Sequence, residues 1–423
     1  MRAERTIESD GPVHVAVVGG GPSGCYTAAA LRKVLPGVQI SVFDSRPAPF
    51  GLIRYGVAPD HQGMKNVARQ FERLFASGGT EFFGGVTVGA DLSLEELTDN
   101  YHVVVMATGL AQDRPLGIPV DPYAALFGAG EVMRYLNSDP DERLRAWSDD
   151  PSRRLGQDVL IIGAGNVALD VARLLAKTDE ELIGSDIDDT ARASLEIPRI
   201  ESIRILGRGP REKARWDAVM LTELCALPST EVWIDGERVT ASDQETPTTI
   251  EIEFTRTPLR VDHVDERSVL VAADSAGSGA EHVYVVDSIV TATGFVAADP
   301  QGPHTSFDGS LPVVRIGGCS SGVLGNLAEN RALAKAAAAE VVTLVDQKTR
   351  RAGADGIRPL MDAAVLSYDD WLAVDAEEVR RAGPGRCRQK ISSLPEMHVV
   401  VDAHRRAAHS RAGSDATRQQ LSL

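Results

Sequence analysis

At 423 residues the chain is long enough for two domains, each with its own core. Its 43% hydrophobic and 25% charged residues are the proportions of a soluble globular protein, and no apolar run reaches the roughly 18 residues that a membrane span needs. A net charge of −16 argues against nucleic acid as the main partner, and four scattered cysteines (Cys25, Cys225, Cys319, Cys387) without a C-x-x-C pair argue against a disulfide framework, a metal site and a dithiol relay.

The segment Met1-Arg2-Ala3-Glu4-Arg5-Thr6 lacks the apolar stretch of a leader, so a cytoplasmic location is expected. Residues 13–44 read as strand, glycine turn, helix and second strand. The turn is Gly19-Gly20-Gly21-Pro22-Ser23-Gly24, preceded by the apolar Val15-Ala16-Val17-Val18. The second strand, Ile40-Ser41-Val42-Phe43, ends at Asp44, twenty residues beyond Gly24. Residues 64–77 are helical by pattern, 81–90 are short strands, and 103–109 form a buried strand closing in Ala107-Thr108-Gly109. A polar stretch around 137–154 is expected to separate this unit from the next.

The second unit repeats the arrangement over 158–207. Val159-Leu160-Ile161-Ile162 runs into Gly163-Ala164-Gly165-Asn166-Val167-Ala168, and a further strand ends at Leu206-Gly207. Residues 216–227 read as a helix. The alternating segments 231–234, 249–256 and 267–272 read as antiparallel strands. Residues 285–293 close in Thr291-Ala292-Thr293-Gly294, echoing the end of the first unit. A long alanine-rich helix is expected over 326–347, and the Arg- and Ser-rich tail from His404 to Leu423, without periodicity, reads as disordered. The implied fold is α/β, with two dinucleotide-binding (Rossmann-like) domains. An NADP domain (111–295) is inserted into an FAD domain (1–110 and 296–423).

A G-x-G-x-x-G/A turn between strand and helix aims backbone N–H groups and a helix N-terminus at a pyrophosphate. The first turn (Gly19, Gly21, Gly24) is expected to hold FAD, with Asp44 accepting from ribose hydroxyls. The second (Gly163, Gly165) is expected to hold NADPH. No acid ends its second strand; Arg208 follows instead, with Arg211, Lys213 and Arg215 close behind, and a guanidinium there pairs with a 2′-phosphate. Two dinucleotides in one chain imply electron transfer between them.

Two further stretches carry a family resemblance: Pro49-Phe50-Gly51-Leu52-Ile53-Arg54-Tyr55-Gly56-Val57-Ala58-Pro59-Asp60-His61, and Gly163 to Val167 continued by Ala168-Leu169-Asp170-Val171-Ala172-Arg173. With them the chain resembles the adrenodoxin-reductase-like ferredoxin–NADP reductases over about 13–230 and, more loosely, 285–345. The tail Gly385 to Leu394 is similar to the bacterial branch. The resemblance implies hydride transfer from NADPH to FAD, then single electrons to a ferredoxin-type iron–sulfur protein. By position it implies that Ser23, Asp44, Leu52 and Val88 contact FAD. Ala164, Gly165, Asn166 and Val167 would hold the NADP pyrophosphate, and Arg208 the 2′-phosphate. His61 and Glu223 match a His–carboxylate pair beside the nicotinamide, the catalytic candidates here. Gly322-Val323-Leu324 would bring the N-terminus of the long helix to the flavin's pyrimidine edge.

Three departures stand out against the family pattern. One arginine precedes Gly209-Pro210 where two are usual. Met220 replaces a glutamate assigned to NADP binding. The flavin-packing tryptophan is missing from Gly317-Gly318-Cys319-Ser320-Ser321-Gly322. The last change leaves a second reading open, a derived flavoenzyme acting directly on a small molecule or oxygen, and it puts Cys319 near the flavin. A third reading is a flavin-binding scaffold with little turnover. Basic residues in the loop 204–215 or the tail around Arg380 to Lys390 would have to supply a docking surface for the redox partner.

Overall fold

A computed structural model describes residues 11–147, 150, 154–242, 244–245, 247–277, 279–297, 311–322, 327–346, 349–362 and 364–420, with the side chains of Leu327 and of 410–420 left out. The first sheet has five parallel strands in the order Val313–Arg315, Val103–Met106, His14–Val18, Gln39–Asp44 and Thr80–Gly84. Helices Pro22–Val34 and Leu327–Leu344 pack on it, and Val15, Val17, Leu31, Val42, Val105 and Val341 form part of their shared core. The strands read as continuous apolar runs because both faces are covered.

The second sheet orders its strands Glu237–Arg238, Thr230–Ile234, Thr248–Glu253, Ser202–Leu206, Asp158–Ile162, Ser288–Thr291 and Leu126–Gly128. All neighbours run parallel except the first pair. The fold is therefore α/β with two dinucleotide-binding units. The chain leaves the first sheet after Met106, builds the second, and returns at Val313–Arg315, so the second unit is inserted in the first. A short antiparallel ribbon, Gln112–Asp113 against Phe295–Val296, marks the crossing.

Four expectations change. Strands Thr230–Ile234 and Thr248–Glu253 run parallel to each other, not antiparallel; alternation reports faces, not direction. A separate three-stranded antiparallel sheet, Arg256–Val264, Arg267–Asp274 and Glu281–Val286, supplies the antiparallel pairing. The polar stretch that begins at 137 is no simple spacer: Asn137, Ser138, Asp139 and Glu142 are buried, each with a polar partner. The tail, without apolar periodicity in the sequence, is helical from Leu394 to Gln420, and Leu421 to Leu423 lie outside the described residues. Met397 and Val401 bury against Trp371, and the Arg405 guanidinium clasps Asp370 at 2.7 Å. Over 81–90 there is one strand, Thr80–Gly84, followed by a turn.

Candidate active site

The two glycine turns share one hydrogen-bond frame. Gly19 N–H donates to the Phe43 carbonyl at 2.7 Å, and Gly163 N–H to the Leu206 carbonyl at 2.8 Å. Ala107 N–H donates to Val18 at 2.7 Å, and Ala292 N–H to Ile162 at 2.8 Å. Both first glycines have positive φ (109° and 120°), and an added Cβ would stand 2.4 Å from the carbonyl oxygen of Ala107 or Ala292. Each turn thus lies between a strand continuing into Ala-Thr-Gly and one continuing its own unit, at the carboxyl ends of the strands where open parallel sheets bind ligands.

Both turns fit a dinucleotide. Helices Pro22–Val34 and Asn166–Ala176 start at Gly21 and Gly165 with no side-chain cap, so their first-turn N–H groups remain for an anion. A Cβ built on Gly21 meets only Gly51 Cα, at 3.9 Å, and one on Gly165 only the Arg215 carbonyl, at 3.8 Å; the backbone is open to close approach there. Gly24 is different: its Cβ would fall 1.9 Å from the Gly19 oxygen, so helix and strand touch through that position. A cavity of about 120 Å³ opens at the second turn, lined by Asp113, Gly165, Asn166, Val167, Ala292, Gly294 and Phe295.

Around the first turn, Asp44 accepts Gly20 N–H at 2.7 Å and Arg46 N–H at 2.9 Å. Burial pushes its carboxyl above the usual range, against the pull of the Arg46 N–H and guanidinium and of Gly20 N–H. The Ser23 hydroxyl donates to Asn330 at 2.7 Å, and a side chain on Gly317 would collide with it. Leu52 opens the short helix Leu52–Tyr55 half exposed, and Val88 is buried. Gly322, left-handed at φ 69°, ends the four-residue helix Gly318–Ser321. Val323 and Leu324 lie outside the described residues. The Cys319 thiol donates to the Met106 and Ile316 carbonyls at 3.2 and 3.1 Å, which gives it a structural task.

At the second turn, Ala164 packs against the core, and the Asn166 side-chain oxygen accepts Asp217 N–H at 2.7 Å, tying the start of helix Ala218–Cys225 to the turn. Gly207 passes under the Phe254 ring, where a Cβ would meet carbon at 2.6 Å. Arg208 then emerges exposed, its carbonyl held by the Ser275 hydroxyl at 2.7 Å. Arg208, Arg211, Lys213 and Arg215 form no ion pair among the described residues. Met220 packs on the core. The tail's cations are instead consumed internally: Arg380 and Arg381 on Glu377, Arg386 on Asp189, Arg388 on Asp375 and Lys390 on Asp186.

The structure brings His61 and Glu223 together, from different units, with Nε2 to Oε2 at 3.0 Å. Behind His61, its Nδ1 stands 3.5 Å from Asp170, and Arg173 binds Asp170 at 2.6 Å. Arg173 also pairs with Asp60, which Lys177 meets at 2.7 Å. Burial pushes Asp170 up to about 6, against the attraction of His61. Asp170 and Arg173 face the loop because they stand one helical turn apart on helix Asn166–Ala176. Both were visible in the second motif, but nothing local marked them as partners of His61.

Residues 13–184 match a family model described as pyridine nucleotide-disulphide oxidoreductase, although the chain's four cysteines are free. The chain is similar to cindoxin reductase of Citrobacter braakii, 33% identical across 96% of this chain and 94% of that one. It is 38% identical to mitochondrial NADPH:adrenodoxin oxidoreductase of Arabidopsis thaliana, over 56% of this chain and about half (49%) of that relative. Among solved structures it is similar to Mycobacterium tuberculosis FprA in complex with NADPH, with a TM-score of 0.82, 25% identity, and coverage of 92% of this chain and 100% of that one.

Proposed function

Because the chain belongs to the adrenodoxin-reductase-like ferredoxin–NADP reductases, we propose that it is an oxidoreductase drawing hydride from NADPH into FAD and passing electrons to a ferredoxin-type iron–sulfur protein. The observation that carries this reading is the pair of matched glycine turns with a His–carboxylate contact joining their units. When bound, the flavin supplies the change from two-electron to one-electron chemistry.

The first turn, Gly19 to Gly24, would hold the FAD pyrophosphate on its uncapped N–H groups, Asp44 would meet the adenosine ribose, and Ser23, Leu52 and Val88 would contact the cofactor. By the family pattern Gly322, which ends helix Gly318–Ser321, would approach the flavin's pyrimidine edge. The second turn, Gly163 to Val167, holds the NADP pyrophosphate, and Arg208 the 2′-phosphate. His61 and Glu223 orient the nicotinamide carboxamide and balance charge as hydride leaves; they need exchange no proton. Asp170 and Arg173 fix the His61 ring from behind. We assign 1–110 and 296–423 to the FAD unit, 111–295 to the NADP unit, and the protein to the cytoplasm; no helix among the described residues is long and apolar enough to cross a membrane.

Despite the acidic whole, Arg211, Lys213 and Arg215, which form no ion pair among the described residues, offer positive charge that an acidic redox protein would meet. The paired cations of the tail do not. A second reading, direct action on a small molecule or oxygen, is favoured by the absence of any aromatic side chain in Gly317 to Gly322. The two readings separate on acceptors. NADPH consumption by the holoprotein that depends on an added ferredoxin supports the first. Consumption that depends on an organic substrate or oxygen, and ignores ferredoxin, supports the second.

A further inference from the structure

The segment Arg54 to Lys65, which carries His61, is bound directly by the C-terminal part of the chain at one end and shares buried acceptors with it at the other. At one end the Arg54 guanidinium is buried between the rings of Tyr55 (4.9 Å) and Trp371 (4.5 Å) and pairs with Glu378 at 2.6 Å. Glu378 is itself fully buried, and the same oxygen accepts Ile391 N–H at 2.9 Å. At the other end Lys65 and Lys390 meet over a shared pair of acceptors. Lys65 Nζ reaches Asp186 at 2.7 Å and Asn137 Oδ1 at 2.6 Å; Lys390 Nζ reaches Asp186 at 2.9 Å and the same Asn137 oxygen at 2.8 Å. All four are buried. Against the burial that works to raise it, Lys390 and Lys65 hold Asp186 down to about 2.

Between these ends the loop's carbonyls are tied to the inserted unit. Asn137 Nδ2 donates to Val57 at 3.0 Å, and Asp186 N–H to Pro59 at 3.1 Å. The tail reaches the same place through its backbone. Gly184 N–H donates to Gly385 at 2.7 Å, and Cys387 N–H to Ser185 at 2.9 Å. The tail is thus the third party in a knot that also contains the His61 loop and the inserted unit.

Resting on the role given to His61 above, we propose that the tail is a positioning strap. Glu378 and Lys390 act through Arg54 and Lys65 to set the place of His61 against Glu223. Both side chains are buried and spend themselves on protein partners. Their effect is on the order of a loop whose free ends would otherwise sample many conformations. This gives the Gly385 to Leu394 motif a task that its distance in sequence from both turns conceals.

The test uses the full chain with its flavin and the variants Lys390→Met and Glu378→Gln, alone and with His61→Ala. Hydrogen exchange in residues 54–65 is expected to rise about tenfold, with helix Asn166–Ala176 unchanged. Anaerobic flavin reduction by NADPH is expected to slow about fivefold at saturation with KM little changed, and that slowing is expected to vanish when His61 is already alanine. Unchanged exchange in 54–65, or the same fivefold slowing in the His61→Ala background, overturns the strap. A His61→Ala variant as fast as the parent overturns the role of His61 instead, and hydrogen exchange then decides the strap by itself. Should Lys390→Met fail to fold, Lys390→Gln, which removes the charge paired with Asp186, is read the same way.

Discussion

Single side chains set the chemistry of both clefts. Asp44 accepts the Gly20 and Arg46 N–H groups on its two oxygens, so it shapes the first turn, beside which we propose that it meets the adenosine ribose. Removing it strands those donors, at about 1–3 kcal/mol. Asp44→Ala is expected to purify with much less FAD; a parental flavin-to-protein ratio would contradict the assignment. Arg208 has no carboxylate to compete for it among the described residues. Arg208→Ala is expected to raise KM for NADPH at least about tenfold, in line with a lost charge-assisted contact, while KM for NADH stays near the parent. Equal changes for both would remove Arg208 from the 2′-phosphate. Asp170 links pH to the site. Its carboxyl, raised to about 6, holds its proton more tightly folded than unfolded. The stability this gives is full below about pH 4 and lost as pH rises through about 6. Above that, the anion faces His61 and Arg173. The rate of flavin reduction is expected to show a step near pH 6 that disappears in Asp170→Asn; an identical profile in the variant would exclude this carboxyl.

At the level of elements, close packing of helix on strand distinguishes the two turns. In the first, Gly24 leaves no room for a methyl group; in the second, Ala168 stands at the corresponding place, buried. Gly24→Ala must push helix Pro22–Val34 off its strand, a strain of about 1–3 kcal/mol or more. It is expected to lower both the melting temperature and FAD content, and retention of both would show that the helix can shift freely. These elements were legible because their signals are local: an apolar run, a glycine turn, an acid or an arginine at a fixed distance. Direction was not. The pattern of Thr230–Ile234 and Thr248–Glu253 shows alternating burial whichever way the neighbour runs, and only the path of the chain makes them parallel. The tail helix was hidden for another reason. Its last turns carry no apolar stripe, and its anchoring falls on Met397, Val401 and a salt bridge from Arg405.

Across the whole molecule, function depends on how the two units face one another, and that relation is held by buried charge. Arg46 pairs with Asp139 at 2.8 Å, Arg173 with Asp60, and Lys65 with Asp186 at 2.7 Å, each with one partner in each unit. Such pairs add little net stability, but removing one partner leaves a stranded charge at about 3–5 kcal/mol, so they select one arrangement of the units. None of them was legible. Asn137 and Asp139 read as part of a solvated stretch because polarity signals exposure unless the opposing charge is known, and that charge comes from up to 253 residues away. The meeting of His61 with Glu223 became visible only through the resemblance; spacing alone does not bring residues 162 positions apart into contact. The most direct measurement is rapid anaerobic mixing of the purified yellow protein with NADPH while the visible flavin band is followed. The band is expected to bleach within a single turnover and to return when an oxidised iron–sulfur protein is added. A protein that carries flavin yet keeps its colour in excess NADPH would contradict the account.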